Sequence, residues 1–367
     1  MDRDKLLALL ALKKVPNLGD SSIKKLIREV GTASAVLREP KGKLLKIDGI
    51  GAAKVKDIHN TEYLKAAEEE LGFIESNAIH VDVYDEPDYP DKLKHCIDGP
   101  VVLFSRGNFN LKNQRIISIV GTRQVTSYGV QFCEELIETL VPLQPTIVSG
   151  FAYGVDITAH KAAMKHKLQT IGCLAHGFNQ IYPKAHKKYV AQLEEYGGFF
   201  TDFWSTDPFD RKNFLGRNRI IAGLSEATIV IESAEKGGSL VTAELANSYN
   251  RDVFAVPGRT TDTLSKGCNM LIKTQKAHML TSAADLIYML NWELEEKEKP
   301  VVQKQLFVEL DLEEKVIYNY LQTSGKTLLD VIALDCKFPS FKTASILLNM
   351  ELKGVIKPLP GKMFELA

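Results

Sequence analysis

The chain has 367 residues, 45% of them hydrophobic and 25% charged, and its 46 Lys/Arg balance 46 Asp/Glu to a formal net charge of zero. That length predicts two or three domains with ample core, and the composition is that of an ordinary soluble globular protein. Zero net charge excludes a global basic field, so any polyanion must be held by local patches. The five cysteines, at 96, 133, 173, 268 and 336, form no CxxC pair. Their odd number argues against a disulfide framework and for reduced thiols in the cytoplasm. The eight histidines show no zinc spacing, so neither a metal nor a cofactor is expected. The apolar run 6–12 is too short to span a bilayer, follows acidic residues and precedes no cleavage motif. No membrane anchor or signal peptide is expected.

Residues 1–60 carry thirteen Lys/Arg against seven Asp/Glu, whereas 61–100 carry three against eleven. Residues 1–65 read as a helical domain. Val15-Pro16-Asn17-Leu18-Gly19 leads into a helix over 21–30, and Ile47-Asp48-Gly49-Ile50-Gly51 into one over 52–59. The repeated glycine turn resembles a tandem helix-hairpin-helix unit, which would hold DNA phosphates non-specifically. The competing reading is an αα-hairpin used only for packing. Residues 66–110 form a connector joined to the central domain, with a helix over 61–77 and strands over 79–84 and 100–104.

Residues 111–290 alternate strands and helices. Strands are predicted over 116–120, 146–149, 170–174, 199–203, 227–232 and 252–256. The helices between them cover 128–140 (capped by Ser127), 155–166, 185–196, an Arg-rich stretch from 213, and 239–249. This spacing implies a doubly wound parallel sheet. In such sheets the loops at the carboxyl ends of the strands converge on one crevice. Those loops carry Gly121-Thr122-Arg123, Ser149-Gly150 through Tyr153-Gly154, the 176–184 segment with Lys184, and Lys236-Gly237-Gly238-Ser239. Two glycines let the backbone approach a ligand, Ser239 suits the N-cap, and a helix N-terminus favours phosphate. Arg217, Asn218 and Arg219 lie just upstream. Together these residues suggest recognition of a nucleotide or a nucleic-acid backbone; the alternative is a surface turn beside a solvated basic helix.

Residues 291–303 read as a charged linker. Residues 304–367 read as three helices and a β-wing, a winged-helix pattern whose charges balance. Ser324-Gly325-Lys326-Thr327 is not a P-loop, because Tyr320 stands where its first glycine belongs. Gly121-Thr122-Arg123 is not a dinucleotide fingerprint, since Arg123 replaces the second glycine. An arginine there suits a phosphate fork. Asp156 and His160 share a helical face, as an acid/base pair would, but a structural role is favoured. His176 and Glu232 are weaker candidates, and no catalytic residue is assigned.

The motifs IVGTRQVTSYG, IVSGFAYGVDITAH, GFNQIYP, GRNRIIAGLS, KGGSLVTAELA, AVPG and SKGCNMLI resemble, in order, those of the DNA-processing DprA (Smf) family. The resemblance implies an extended Rossmann-like fold and a homodimer formed through the central domain. It also implies single-stranded DNA binding, protection of incoming strands and loading of the recombinase RecA during natural transformation. No catalysis is implied. By resemblance, Gly121, Arg123, Lys184, Arg217, Asn218 and Arg219 contact phosphate. Tyr153 departs from the family, which commonly has a basic residue there; its ring, with Phe178 and Tyr182, is a candidate stacking surface. The alternative is a nucleotide-cleaving phosphoribohydrolase of the same fold, with Glu244 as acid/base and Arg219 as phosphate anchor.

Overall fold

The computed structural model describes residues 2–112, 114–292, 310–359 and 361–366. The chain divides into two compact units, Met1–Leu294 and Glu295–Ala367. The charged stretch 291–303 lies, from residue 293 onward, outside the described residues.

Among the described residues, nine strands of the first unit form one sheet. They are β1 (His80–Val83), β2 (Val102–Gly107), β3 (Ile116–Val120), β4 (Thr146–Ser149), β5 (Thr170–Cys173), β6 (Gly197–Thr201), β7 (Ala227–Val230), β8 (Asp252–Ala255) and β9 (His278–Met279). Their order is β1-β2-β6-β5-β4-β3-β7-β8-β9. The run from β6 to β9 is parallel throughout, whereas β1 and β2 add antiparallel at one edge. The sheet is therefore mixed: the connector strands extend the parallel sheet.

Successive side chains of a strand point to opposite faces, and both faces are covered. Ile117 and Ile119 pack under helices Ser127–Leu140, Val155–Lys165 and Ala283–Met289. Ile116 and Val120, with Val148 and Ile171, pack under helices Arg211–Leu224 and Gly238–Ser248. Such two-sided burial explains why the strands read as continuous apolar runs. The amino-terminal helices share a third core with the sheet edge, in which Leu9, Leu10 and Leu71 join Val81, Phe104 and Phe199.

Several local expectations shift for physical reasons. Thr126, not Ser127, caps its helix: its Oγ1 accepts from the Gly129 N–H at 3.2 Å. The 185–196 helix is split into a 3-10 turn, Lys184–Tyr189, and a helix, Val190–Tyr196. The sixth strand starts two residues early, because Gly197 and Gly198 let neighbouring backbones close in. A Cβ on Gly197 would stand 1.9 Å from the Thr170 carbonyl oxygen. After Gly51 the helix is one turn only, Ala52–Val55.

The second unit contains helices Leu312–Ser324, Leu329–Asp335 and Ser340–Leu352. Its strands β10 (Thr327–Leu328), β11 (Ile356–Leu359) and β12 (Met363–Leu366) form an antiparallel sheet in the order β10-β12-β11. Ile317, Leu321, Ile332, Leu347 and Met350 form its core.

Candidate functional site

The strand order reverses direction between β3 and β7, where a parallel α/β sheet opens a crevice at its carboxyl edge. The loops after these strands border a cleft of about 360 Å³. Gly121, Thr122, Arg123, Arg217, Asn218, Lys236, Gly237, Gly238 and Ser239 line it, and so do Ala152, Asp156, Arg211 and Phe214. Nine of the expected site residues are thereby brought together.

The walls are built by close backbone approach. A Cβ on Gly121 would lie 2.4 Å from Val155 Cγ2, and one on Gly150 would lie 2.5 Å from Asp156 and 2.6 Å from Arg217. Gly154, with φ +75°, would place a Cβ 2.2 Å from the Thr122 carbonyl oxygen. Gly237 and Gly238 differ: nothing stands closer than 3.3 Å and 3.8 Å, respectively, to a Cβ there. Their lack of side chains leaves the start of helix Gly238–Ser248 open to the cleft. Gly237 occupies its N-cap and no side chain caps it, which leaves main-chain donors and the positive dipole end for an anion. Ser239 is not the cap; it lies inside the helix and donates to Ser233 Oγ at 2.9 Å.

The cations are of two kinds. Arg123, Arg211 and Lys236 are exposed, and the Arg123 guanidinium lies 5.1 Å from the Phe214 ring centre. Arg217 is buried; it donates to the Gly150 carbonyl at 2.6 Å and to the Cys173 carbonyl. Burial lowers its pKa, opposed by the Asp156 carboxylate. Burial likewise raises Asp156, whose carboxylate accepts from the Ala152 N–H at 3.3 Å. Asn218 Nδ2 donates to the Gly238 carbonyl at 3.2 Å, tying the Arg-rich helix to the glycine turn.

Other expected residues lie elsewhere. Ser149 is buried, donating to the Ile119 carbonyl at 2.6 Å. Gly150 and Gly154 shape the loop behind the wall. Tyr153 is exposed, 4.9 Å from the buried His186 ring, and Lys184 is exposed at the start of its 3-10 turn. Arg219 faces away from the cleft. It pairs with Asp20 at 3.0 Å and with Asp202, and donates to the Asp98 carbonyl. It clasps the amino-terminal helices to the sheet, a position that argues against its expected phosphate contact. Phe178 is buried, with Arg106 5.0 Å above its ring. Tyr182 instead joins Phe209 and Phe214, at 4.8 and 5.7 Å, in an aromatic group beside the cleft.

The acid/base candidates separate. His160 hydrogen-bonds Thr170 at 2.7 Å and does not meet Asp156. His176 accepts from the Tyr182 N–H at 3.2 Å, and burial lowers its pKa. Glu232 accepts from Thr126 N–H at 2.9 Å and Oγ1 at 2.5 Å. Glu244 is exposed, 3.3 Å from Lys276, and does not line the cleft. Arg211 and Phe214 were missed in the sequence, although their spacing to Asn218, i, i+3 and i+7, places all three on one helical face.

No helix of the described residues is long and apolar enough to cross a membrane. The family model for DNA recombination-mediator protein A matches residues 80–291, which hold the whole sheet and both cleft loops. Protein Smf of Escherichia coli K12 is 34% identical over 302 residues, covering 81% of this chain and 80% of that protein. The DNA processing protein DprA of Bacillus subtilis is 40% identical over 199 residues, covering 54% and 67%. The solved structure of DNA processing protein A from Streptococcus pneumoniae superposes with a TM-score of 0.66 at 30% identity, covering 76% of this chain and 95% of that one. The protein from Helicobacter pylori, described for its single-stranded DNA binding mode, gives a TM-score of 0.52 at 27% identity, covering 58% and 95%. A chain whose sheet, cleft loops and motif order all fall within this match belongs to the DprA/Smf family of DNA recombination-mediator proteins.

Proposed function

We propose that the protein binds single-stranded DNA, seating backbone phosphate in the cleft between the β3 and β7 loops. One observation carries this reading. Exposed Arg123, Arg211 and Lys236 border the same cleft as an uncapped eleven-residue helix whose two leading glycines leave open space. Guanidinium forks and free main-chain donors are the groups that hold phosphate. The neighbouring Tyr182, Phe209 and Phe214 rings suit bases of an unpaired strand, which stack without regard to sequence. The single-stranded DNA binding mode described for the Helicobacter pylori relative supports the same reading.

Membership of the family supports the rest of the proposal: protection of incoming DNA, loading of RecA and action as a homodimer. The helices and antiparallel strands of residues 310–366 support a winged-helix reading of the second unit. The phosphoribohydrolase alternative is disfavoured by the position of Glu244 outside the cleft.

Arg123→Ala is expected to weaken binding of an oligothymidine by about 1–3 kcal/mol. Its melting temperature should match wild type, because the side chain is exposed and its guanidinium lies over the Phe214 ring at the surface of the cleft. Fluorescence anisotropy alongside a thermal melt reads both. Unchanged affinity contradicts the phosphate role, and a collapsed melt makes the residue structural.

A further inference from the structure

The molecule has a second basic cleft, of about 750 Å³, that shares no lining residue with the cleft between the loops after β3 and β7. Helix Asp20–Val30 contributes Lys24, Lys25 and Arg28, the glycine hairpin contributes Lys54, and the end of helix Asp91–Lys94 contributes Lys94 and His95. Among the described residues, no carboxylate lines it. The acidic partners of these cations stand outside and are exposed: Asp48 is 3.2 Å from Lys25, Asp91 3.6 Å from Lys94 and Glu29 3.5 Å from Arg28. Such surface pairs are worth little and exchange readily for a stronger anion. Lys24 sits deeper, its Nζ 3.4 Å from the Cys96 carbonyl oxygen and 5.5 Å from the Tyr84 ring centre. Burial lowers its pKa, a cost that an anion in the cleft would offset.

The clefts lie along one helix. Phe214 and Asn218 of helix Arg211–Leu224 line the first. Gly223 of the same helix abuts the floor of the second, where a Cβ would stand 2.9 Å from Cys96 Sγ. At ~1.5 Å rise per residue, the separation along the helix axis is about 8–14 Å.

We propose that this amino-terminal cleft is a second nucleic-acid site, taking further phosphates of the strand whose first contact lies between the β3 and β7 loops. The inference rests on the single-stranded DNA reading above. A polyphosphate backbone is the occupant that matches five cations lining one cleft whose acidic partners stand outside it.

The full-length protein is titrated with oligothymidines of about 3 and about 30 nucleotides, below and above ordinary site sizes. Wild type is compared with Lys25→Gln/Arg28→Gln, which keeps helix propensity and removes two charges. The expected result is about tenfold weaker binding of the long strand, unchanged binding of the short one, and a salt slope shallower by about 1.4. Should the double variant melt early, Arg28→Gln alone carries the comparison, since its side chain is 72% exposed. Unchanged long-strand binding, or equal loss on both strands, overturns this inference and leaves the first site standing. A wild-type protein that binds neither strand overturns both. Polyglutamate captured by wild type but not by the variant, with DNA binding unchanged, assigns the cleft to an acidic protein and overturns the inference.

Discussion

Arg219→Ala is expected to destabilise the first unit by about 3–5 kcal/mol, the usual cost of removing one partner of a buried ion pair. Among the described residues, two cations lie within ion-pairing distance of both Asp20 and Asp202: Arg219, and Lys13, which stands farther from each, at 3.6 and 3.9 Å. One Asp202 carboxylate oxygen is already buried without a hydrogen-bond partner, so its charge has little other compensation. Burial alone would lower the Arg219 pKa; Asp202 and Asp20 reverse that and hold it raised. Burial pushes Asp20 up, but Lys13, Arg219 and the Val101 N–H outweigh it and hold the carboxyl below its ordinary value. Asp20 therefore contributes stability that is present above its unfolded pKa and lost as pH falls through its native one. Urea denaturation at neutral pH measures the loss. A change below about 1 kcal/mol would mean that the pairs are solvated and that the arginine is free for another role.

Acidification is expected to weaken the protein through one buried histidine. His160 is buried, hydrogen-bonded to Thr170 through Nδ1, and its Nε2 has no partner. Burial, with His186 and Arg217 nearby, lowers its pKa from 6.5 to about 3. The native ring stays neutral where the unfolded chain takes a proton, so stability is full above pH 6.5 and falls below it. The loss reaches about 2 kcal/mol at pH 5. Asp156, raised by burial, works in the opposite direction. The quantity to read is therefore the difference between wild type and His160→Asn, which does not titrate. A smaller loss between pH 7 and pH 5 in the variant is expected; an equal loss would place the acid sensitivity elsewhere.

These two residues show what the sequence carried and what it did not. The alternation of apolar runs and helices was enough for the parallel sheet, because strands buried on both faces leave an unbroken Val/Ile signal. It was also enough for the rim, because the ends of parallel strands share one edge. It was not enough for side-chain direction. Arg217 and Arg219 stand two residues apart, which on a helix sends them to opposite sides. One meets the cleft and the other meets Asp20, some 200 residues away in sequence, a contact that no local pattern encodes. Ser239 looked like a cap because serine favours that position. The helix begins one residue earlier, and Gly237 leaves the end uncapped. Phe178 looked available as an aromatic beside glycine, but Arg106 from the antiparallel edge strand covers it. Strands β1 and β2 were legible as strands over 79–84 and 100–104 of the connector, but not as members of the sheet, since antiparallel addition depends on partners far along the chain.

The central claim is tested most directly by titrating wild-type protein with a single-stranded oligothymidine and with a duplex of equal length, across a series of salt concentrations. The expected result is at least about tenfold tighter binding of the single strand. Affinity should fall with salt at a log–log slope of about −2 or steeper, as release of counterions from three or more phosphates requires. Equal affinity for the duplex, or an affinity indifferent to salt, would contradict a cleft built to seat the phosphates of an unpaired strand.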